Sequence, residues 1–213
     1  MDTSKKPKGN LRTGFTTGTC ATASSKAAIL AMVNQKSIDK VDVLLPKRDK
    51  INIQIKNCKF SKNTAICSVI KDGGDDPDVT HGAEIIVELT LTDNIGIIEI
   101  DGGDGVGRVT KPGLGLDIDS AAINPTPKKM ILENVQEVGG EILKQNGIKI
   151  IISVPKGKEI AVKTDNPRLG IMDGISILGT SGIVIPYSTA SFAAAIRQQI
   201  DVVRSMNDDV VFL

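Results

Sequence analysis

The chain has 213 residues, 40% of them hydrophobic, which is enough for one large domain or two small ones with a real core. Its 26 basic and 25 acidic side chains leave a formal charge of +1, so no general attraction to nucleic acid or an anionic membrane is expected; with 2% aromatics, stacking platforms for single strands are lacking too. Cys20, Cys58 and Cys67 show no C-x-x-C spacing, so neither a disulfide framework nor a structural zinc site is expected, and no apolar run approaches the roughly 18 residues of a membrane span. A soluble, cytoplasmic protein is the expectation.

In chain order, the polar leader gives way to "TGTCATASSKAAILAMV" (Thr17 to Val33), rich in helix formers and small residues, which predicts a helix packed closely on a sheet. Runs rich in β-branched residues follow: "KVDVLLP" from Lys40, "INIQI" from Ile51, "TAICSVI" from Thr64, "AEIIVELTL" from Ala83 and "IGIIEI" from Ile95. The alternation in "INIQI" and "IIVELTL" predicts half-buried strands, so the first half reads as a helix against a mostly antiparallel sheet. Between Asp101 and Pro127, glycine and proline dominate, and a boundary is placed there: an α+β domain over 1–126 and a partial α/β domain over 127–213.

In the second part, Ile131, Val135, Val138 and Ile142 recur at helical spacing, and "IKIIISVP" from Ile148 reads as a buried strand. "GISILG" and "GIVIP" predict short strands, and Phe192, Ile196, Ile200 and Val203 another helix; the final "DVVFL" predicts one more strand. Alternating strands and helices point to a mostly parallel, Rossmann-like sheet that stops short of its full set of units.

Five segments are candidates for chemistry. "LRTGFTTGTCATA" places glycines, Thr16 and Thr17 before a helix, with Arg12 alongside; an anion site at the helix start and a plain helix cap weigh about equally. "KDGGDDPDVTHG" gathers four aspartates and the single histidine, His81. It fails the calcium-loop order, because Pro77 interrupts the cluster and position twelve, counted from Lys71, is Gly82. Catalytic roles for Asp75, Asp76 and His81, and a merely polar turn, both remain open. "DGGDGVGRVTKPGLG" adds Arg108 and Lys111 in a glycine-rich loop that lacks the helix a dinucleotide turn requires. "NPRLGI" adds Arg168, and "GISILGTSGIVIP" sets Gly179, Thr180, Ser181 and Gly182 directly after a strand, a common seat for an adenosyl or phosphate group.

Taken in order, these five motifs resemble the cobalt-precorrin-5B C1-methyltransferase family, known as CbiD, from Leu11 to about Leu213. The resemblance implies an S-adenosylmethionine-dependent enzyme that methylates carbon 1 of a cobalt-containing tetrapyrrole, giving cobalt-precorrin-6A in anaerobic cobalamin biosynthesis. Cobalt would arrive inside the substrate, and no protein metal site is implied. Two domains, α+β and then Rossmann-like, are implied, with the chain shortened at its C-terminal end. On this view the macrocycle's carboxylates meet Arg12, Thr16, Thr17, Lys71, Arg108, Lys111 and Arg168. Asp75, Asp76 and His81 serve the reaction, and Gly179, Thr180, Ser181 and Gly182 lie at the cofactor. Self-association is left open. The alternatives are a catalytically incomplete tetrapyrrole-binding relative and a metal-dependent phosphotransferase built on the acidic loop.

Overall fold

The computed structural model describes residues 9–206; the expected strand "DVVFL" lies outside them. The first half supplies β1 (Gly14–Phe15), α1 (Thr17–Asn34), β2 (Lys40–Leu44), β3 (Lys50–Gln54), β4 (Asn57–Phe60), β5 (Thr64–Ile70), β6 (Glu84–Thr92) and β7 (Ile98–Gly102). The glycine-rich stretch adds two short pieces, β8 (Gly105–Val106) and β9 (Arg108–Val109). Then come α2 (Pro125–Leu143), β10 (Gly147–Ser153), α3 (Gly157–Ala161), β11 (Ile171–Met172), β12 (Gly174–Ile175), β13 (Ile183–Val184) and α4 (Thr189–Ser205).

The main sheet has the order β4-β5-β6-β10-β7. Alternation along its central strands decides which face is covered: Ala65, Cys67 and Val69 on β5, Ile85, Val87 and Leu89 on β6, and Ile148, Ile150 and Ile152 on β10 are buried, while Ile66, Glu88 and Lys149 on the opposite parity are exposed. Helix α1 packs on β5 and β6, and elsewhere around its circumference on α2, β2 and β4. Fifteen of its residues are buried, which explains a composition of Ala, Ser, Thr, Cys and Gly: small side chains let neighbours approach from every side, and the helix needs no polar face.

One charged group on this helix is buried, and it is fully paired. The Lys26 ammonium donates to the Asp42 carbonyl (2.7 Å), to Asn134 Oδ1 (3.3 Å) and to Glu137 Oε2 (2.6 Å), so each of its three N–H groups meets an acceptor.

The expected break at residue 127 is not a break in the sheet. β10 lies beyond that point, yet it pairs antiparallel with β6 along its length and parallel with β7. The segment β7–α2–β10 is a parallel crossover whose second strand inserts into the first sheet, where Ile148, Ile150 and Ile152 complete the layer facing the core. The other strands over 127–206 are two-residue pairs, β11 with β9, β12 with β8, and β13 with β1, of which β12 with β8 is parallel. What holds is a mixed α/β architecture with an α1-centred core.

Candidate functional site

The acidic stretch leaves the end of β5 as a loop wired to the segment before α1. Phe15 donates its N–H to the Asp72 carbonyl (2.7 Å), Asp75 donates its N–H to the Arg12 carbonyl (2.9 Å), and the Arg12 N–H reaches Asp75 Oδ2 (2.7 Å). A Cβ on Gly14 would be driven into the backbone of Gly73, so only glycine lets the two segments lie this close. Asp72 pairs with the Arg12 guanidinium and accepts the Gly74 N–H; those hydrogen bonds, Arg12 first, hold its carboxyl down at about 2. Asp76 accepts the Tyr187 N–H at 2.8 Å.

Asp78 pairs with Lys71 and accepts both the N–H and the hydroxyl of Thr80. Burial works against its ionisation, but the Lys71 charge and these hydrogen bonds outweigh it and keep the carboxyl below its usual range. Every aspartate of the loop thus has a protein partner, and among the described residues no group of three or more His, Cys, Asp or Glu side chains could hold a metal ion. His81 is exposed; its Nδ1 accepts the Gly73 N–H at 3.0 Å and lies 3.7 Å from Asp72. This leaves Nε2 as the nitrogen that carries the proton in the neutral ring.

The start of α1 is closed by the chain's other end. Thr16 caps it, accepting the Thr19 N–H at 3.2 Å; the Gly18 N–H goes to the Leu178 carbonyl, and the Thr17 hydroxyl reaches the carbonyls of Ser176 and Leu178. The Thr16 N–H and the Thr19 hydroxyl both reach the Gly182 carbonyl. The donors and hydroxyls at this helix start are therefore largely engaged by Thr16 and by the 176–182 segment. Gly179 and Gly182 have positive φ and lie against Thr16 and Leu45, where a Cβ would collide. Thr180 faces elsewhere, into a groove of about 220 Å³ that it shares with Pro46, Arg48 and Lys129.

Beneath that cap lies a cavity of about 250 Å³. One wall is Thr16 and Thr17 at the head of α1, with Lys71, Asp78 and Thr80 beside them. Asp165, Asn166, Leu169, Ile175, Ser176 and Leu178 also line it, as do Ala195 and Gln198 of α4. Lys71 is 2% exposed and Asn166 7%. Asn166 is held in place by a hydrogen bond to the Gly174 carbonyl (3.0 Å) and one from the Ser176 hydroxyl (3.3 Å).

Of the expected site residues, Thr16, Thr17 and Lys71 line this cavity, whereas Asp75, Asp76 and His81 are not among its lining residues. Arg108 is engaged by both Asp101 oxygens and by the Gly102 carbonyl (2.6 Å). Lys111 touches the Arg168 carbonyl at 3.4 Å, and Arg168 is exposed with Asp165 3.9 Å away, so these two cations sit together near the cavity's Asp165 edge. Asp78, Thr80, Asn166, Ser176 and Gln198 carry no sequence expectation as site residues. Alternation along β5 offers one signal, because Lys71 continues the buried parity of Ala65, Cys67 and Val69 and so is bound to point inward.

Together these features define a mixed α/β protein with a cavity lined by the head of a buried helix, an acidic loop and a peripheral helix. The profile of the family described as CbiD matches residues 3–186, and the chain belongs to that family. It is 49% identical over 209 residues to the cobalt-precorrin-5B C(1)-methyltransferase of Priestia megaterium, covering 98% of this chain and 56% of that protein. It is 50% identical over 198 residues to the protein of the same name from Geobacillus kaustophilus (strain HTA426), covering 93% of this chain and 53% of that one. The crystal structure of the cobalamin biosynthesis protein (cbiD) from Archaeoglobus fulgidus superposes with a TM-score of 0.61 at 34% identity, over 90% of this chain and 60% of that one. The chain thus spans about half the length of the curated relatives it matches.

Proposed function

We propose that this chain takes part in S-adenosylmethionine-dependent methylation of carbon 1 of cobalt-precorrin-5B, giving cobalt-precorrin-6A. The observation that carries the reading is identity of about half, over nearly the whole chain, to relatives named for that reaction. The donor supplies an electrophilic methyl group: the sulfur–methyl bond breaks with its electron pair going to sulfur, the new carbon–carbon bond forms at the macrocycle, and one proton leaves the macrocycle. Such a displacement asks the protein mainly for alignment.

The cavity is too small for a tetrapyrrole, since pockets for drug-sized ligands run from roughly 300 to 1,000 Å³. The macrocycle is assigned to the outer surface, where Lys111 and Arg168 meet its carboxylates and the loop of Asp75, Asp76 and His81 borders it. There the His81 Nε2–H is a donor to the substrate. Arg12 and Arg108 act there through pairs already formed with Asp72 and Asp101. The Gly179–Gly182 segment is assigned to the cofactor side, above the cavity. The Rossmann-like second unit and the division into 1–126 and 127–213 belong to the same proposal. A cytoplasmic location also belongs here; among the described residues no helix is long and apolar enough to cross a membrane. So do the tetrapyrrole as partner, the absence of nucleic-acid binding, and self-association.

The experiment is anaerobic incubation with the methyl donor and cobalt-precorrin-5B, with products followed by mass spectrometry. A gain of one methyl group at carbon 1 is expected. Binding of the tetrapyrrole without methyl gain would favour a catalytically incomplete binding protein, and nucleotide binding that depends on a divalent metal would favour a phosphotransferase.

A further inference from the structure

Two buried lysines on this chain are partnered differently, and the difference describes a ligand. Lys26 has three acceptors. Lys71, equally buried, lines the 250 Å³ cavity and has one acceptor among the described residues, Asp78, where an ammonium can donate three hydrogen bonds. A ligand that enters must therefore bring a hydrogen-bond acceptor. A carboxylate is disfavoured as that acceptor, because Asp78 already neutralises Lys71, the one cation among the cavity's lining residues, and a second anion beside buried Leu169 and Ile175 would find no further charge partner there.

Size, polarity and charge agree on a neutral, compact heterocycle. We propose that the cavity seats the purine nucleoside end of the methyl donor, with the base against Leu169, Ile175 and Leu178 and a ring nitrogen accepting from Lys71. The Gln198 amide, which makes no hydrogen bond to any described residue, supplies a second polar contact from α4. Asp165 at the edge accepts from ribose hydroxyls, the chemistry by which acidic residues recognise a ribose in dinucleotide folds. Lys71 is a binding residue in this arrangement, and Asp78 positions it. The assignment rests on the methyl-transfer reading, and it moves Lys71 from the macrocycle's carboxylates to the cofactor.

The test is amide-resolved NMR titration of this chain with adenosine and, separately, with propionate as a mimic of a substrate carboxylate arm. Adenosine is expected to shift Thr80, Ser176 and Gln198, and propionate to leave them unmoved. Ala195→Phe, which fills the cavity from α4, is expected to weaken adenosine binding by about tenfold or more, and Gln198→Leu by roughly fivefold, with unchanged melting temperatures. Propionate binding at Lys71 in place of adenosine, no adenosine binding in the cavity, or full adenosine affinity in folded Ala195→Phe would overturn the assignment while leaving methyl transfer standing. Adenosine bound as expected, with no methyl gain in the turnover assay, would instead count against the methyl-transfer reading alone.

Discussion

Helices α1 and α4 are nearly equal in length, 18 and 17 residues, and both are capped by a hydroxyl that accepts an N–H at 3.2 Å, yet they belong to opposite regimes. On α1, 15 residues are buried; on α4 only Val202 is, and Phe192 near its start is 70% exposed. The first helix is held by packing from all sides and has no surface to spare for a ligand beyond its head. The second rests on a small separate cluster with Val109, Ala122, Leu169 and Ile171 and presents Ala195 and Gln198 to the cavity. The cavity is thus lined both by a helix buried on all sides and by one with few buried residues, the kind of element that opens at lower free-energy cost.

The largest test of that contrast is truncation. Ile29→Ala on α1 should cost about 3 kcal/mol in urea unfolding, because Ile29 is fully buried, while Ile196→Ala on α4 should cost less than about 1 kcal/mol. Equal costs would break the comparison. Gly179→Ala should cost about 2 kcal/mol, since its positive φ and its approach to Thr16 both exclude a side chain and the cap over α1 would have to lift. If that cap matters for α1 alone, the α4 helical signal should persist while the melting temperature falls.

The caps sharpen the contrast further. Thr16→Val strands a buried Thr19 N–H and should cost about 1–2 kcal/mol, whereas Ser188→Ala leaves its N–H to water and should cost about 0.5 kcal/mol. The smallest expected effect is acid dependence. Asp72 is held at about 2 in the folded chain against an unperturbed value of 3.8, so its contribution is present above that unperturbed value and is lost as pH falls through about 2. Wild type and Asp72→Asn should therefore differ in urea midpoint at pH 6 and converge near pH 2.

Much of α1, β5 and β6 is legible in the sequence, because small residues at every helical position and strict alternation along a strand leave one packing solution. β4 is missed, since "NCKF" at a sheet edge is half-buried and has no apolar run to announce it. β8, β9 and β11 span two residues each and have no period to read, whereas β12 and β13 fall within the expected short strands "GISILG" and "GIVIP". β10 reads correctly as a strand, but its neighbours do not, because a local apolar run says nothing about which open edge it will fill. The site follows the same rule. Lys71, Thr16 and Thr17 stand in motifs, whereas Asn166, Ser176 and Gln198 acquire meaning only when residues far apart in the chain meet at the head of α1.

That meeting also sets a timetable. The hydroxyl of Thr17 finds its carbonyl partners at sequence separations of 159 and 161, and β1 pairs with β13. At a synthesis rate of about 5–20 residues per second, the head of the central helix waits roughly 8–30 s for the segment that closes it. Through that interval Thr16–Thr19 lack the carbonyls of Ser176, Leu178 and Gly182 that close them in the folded chain.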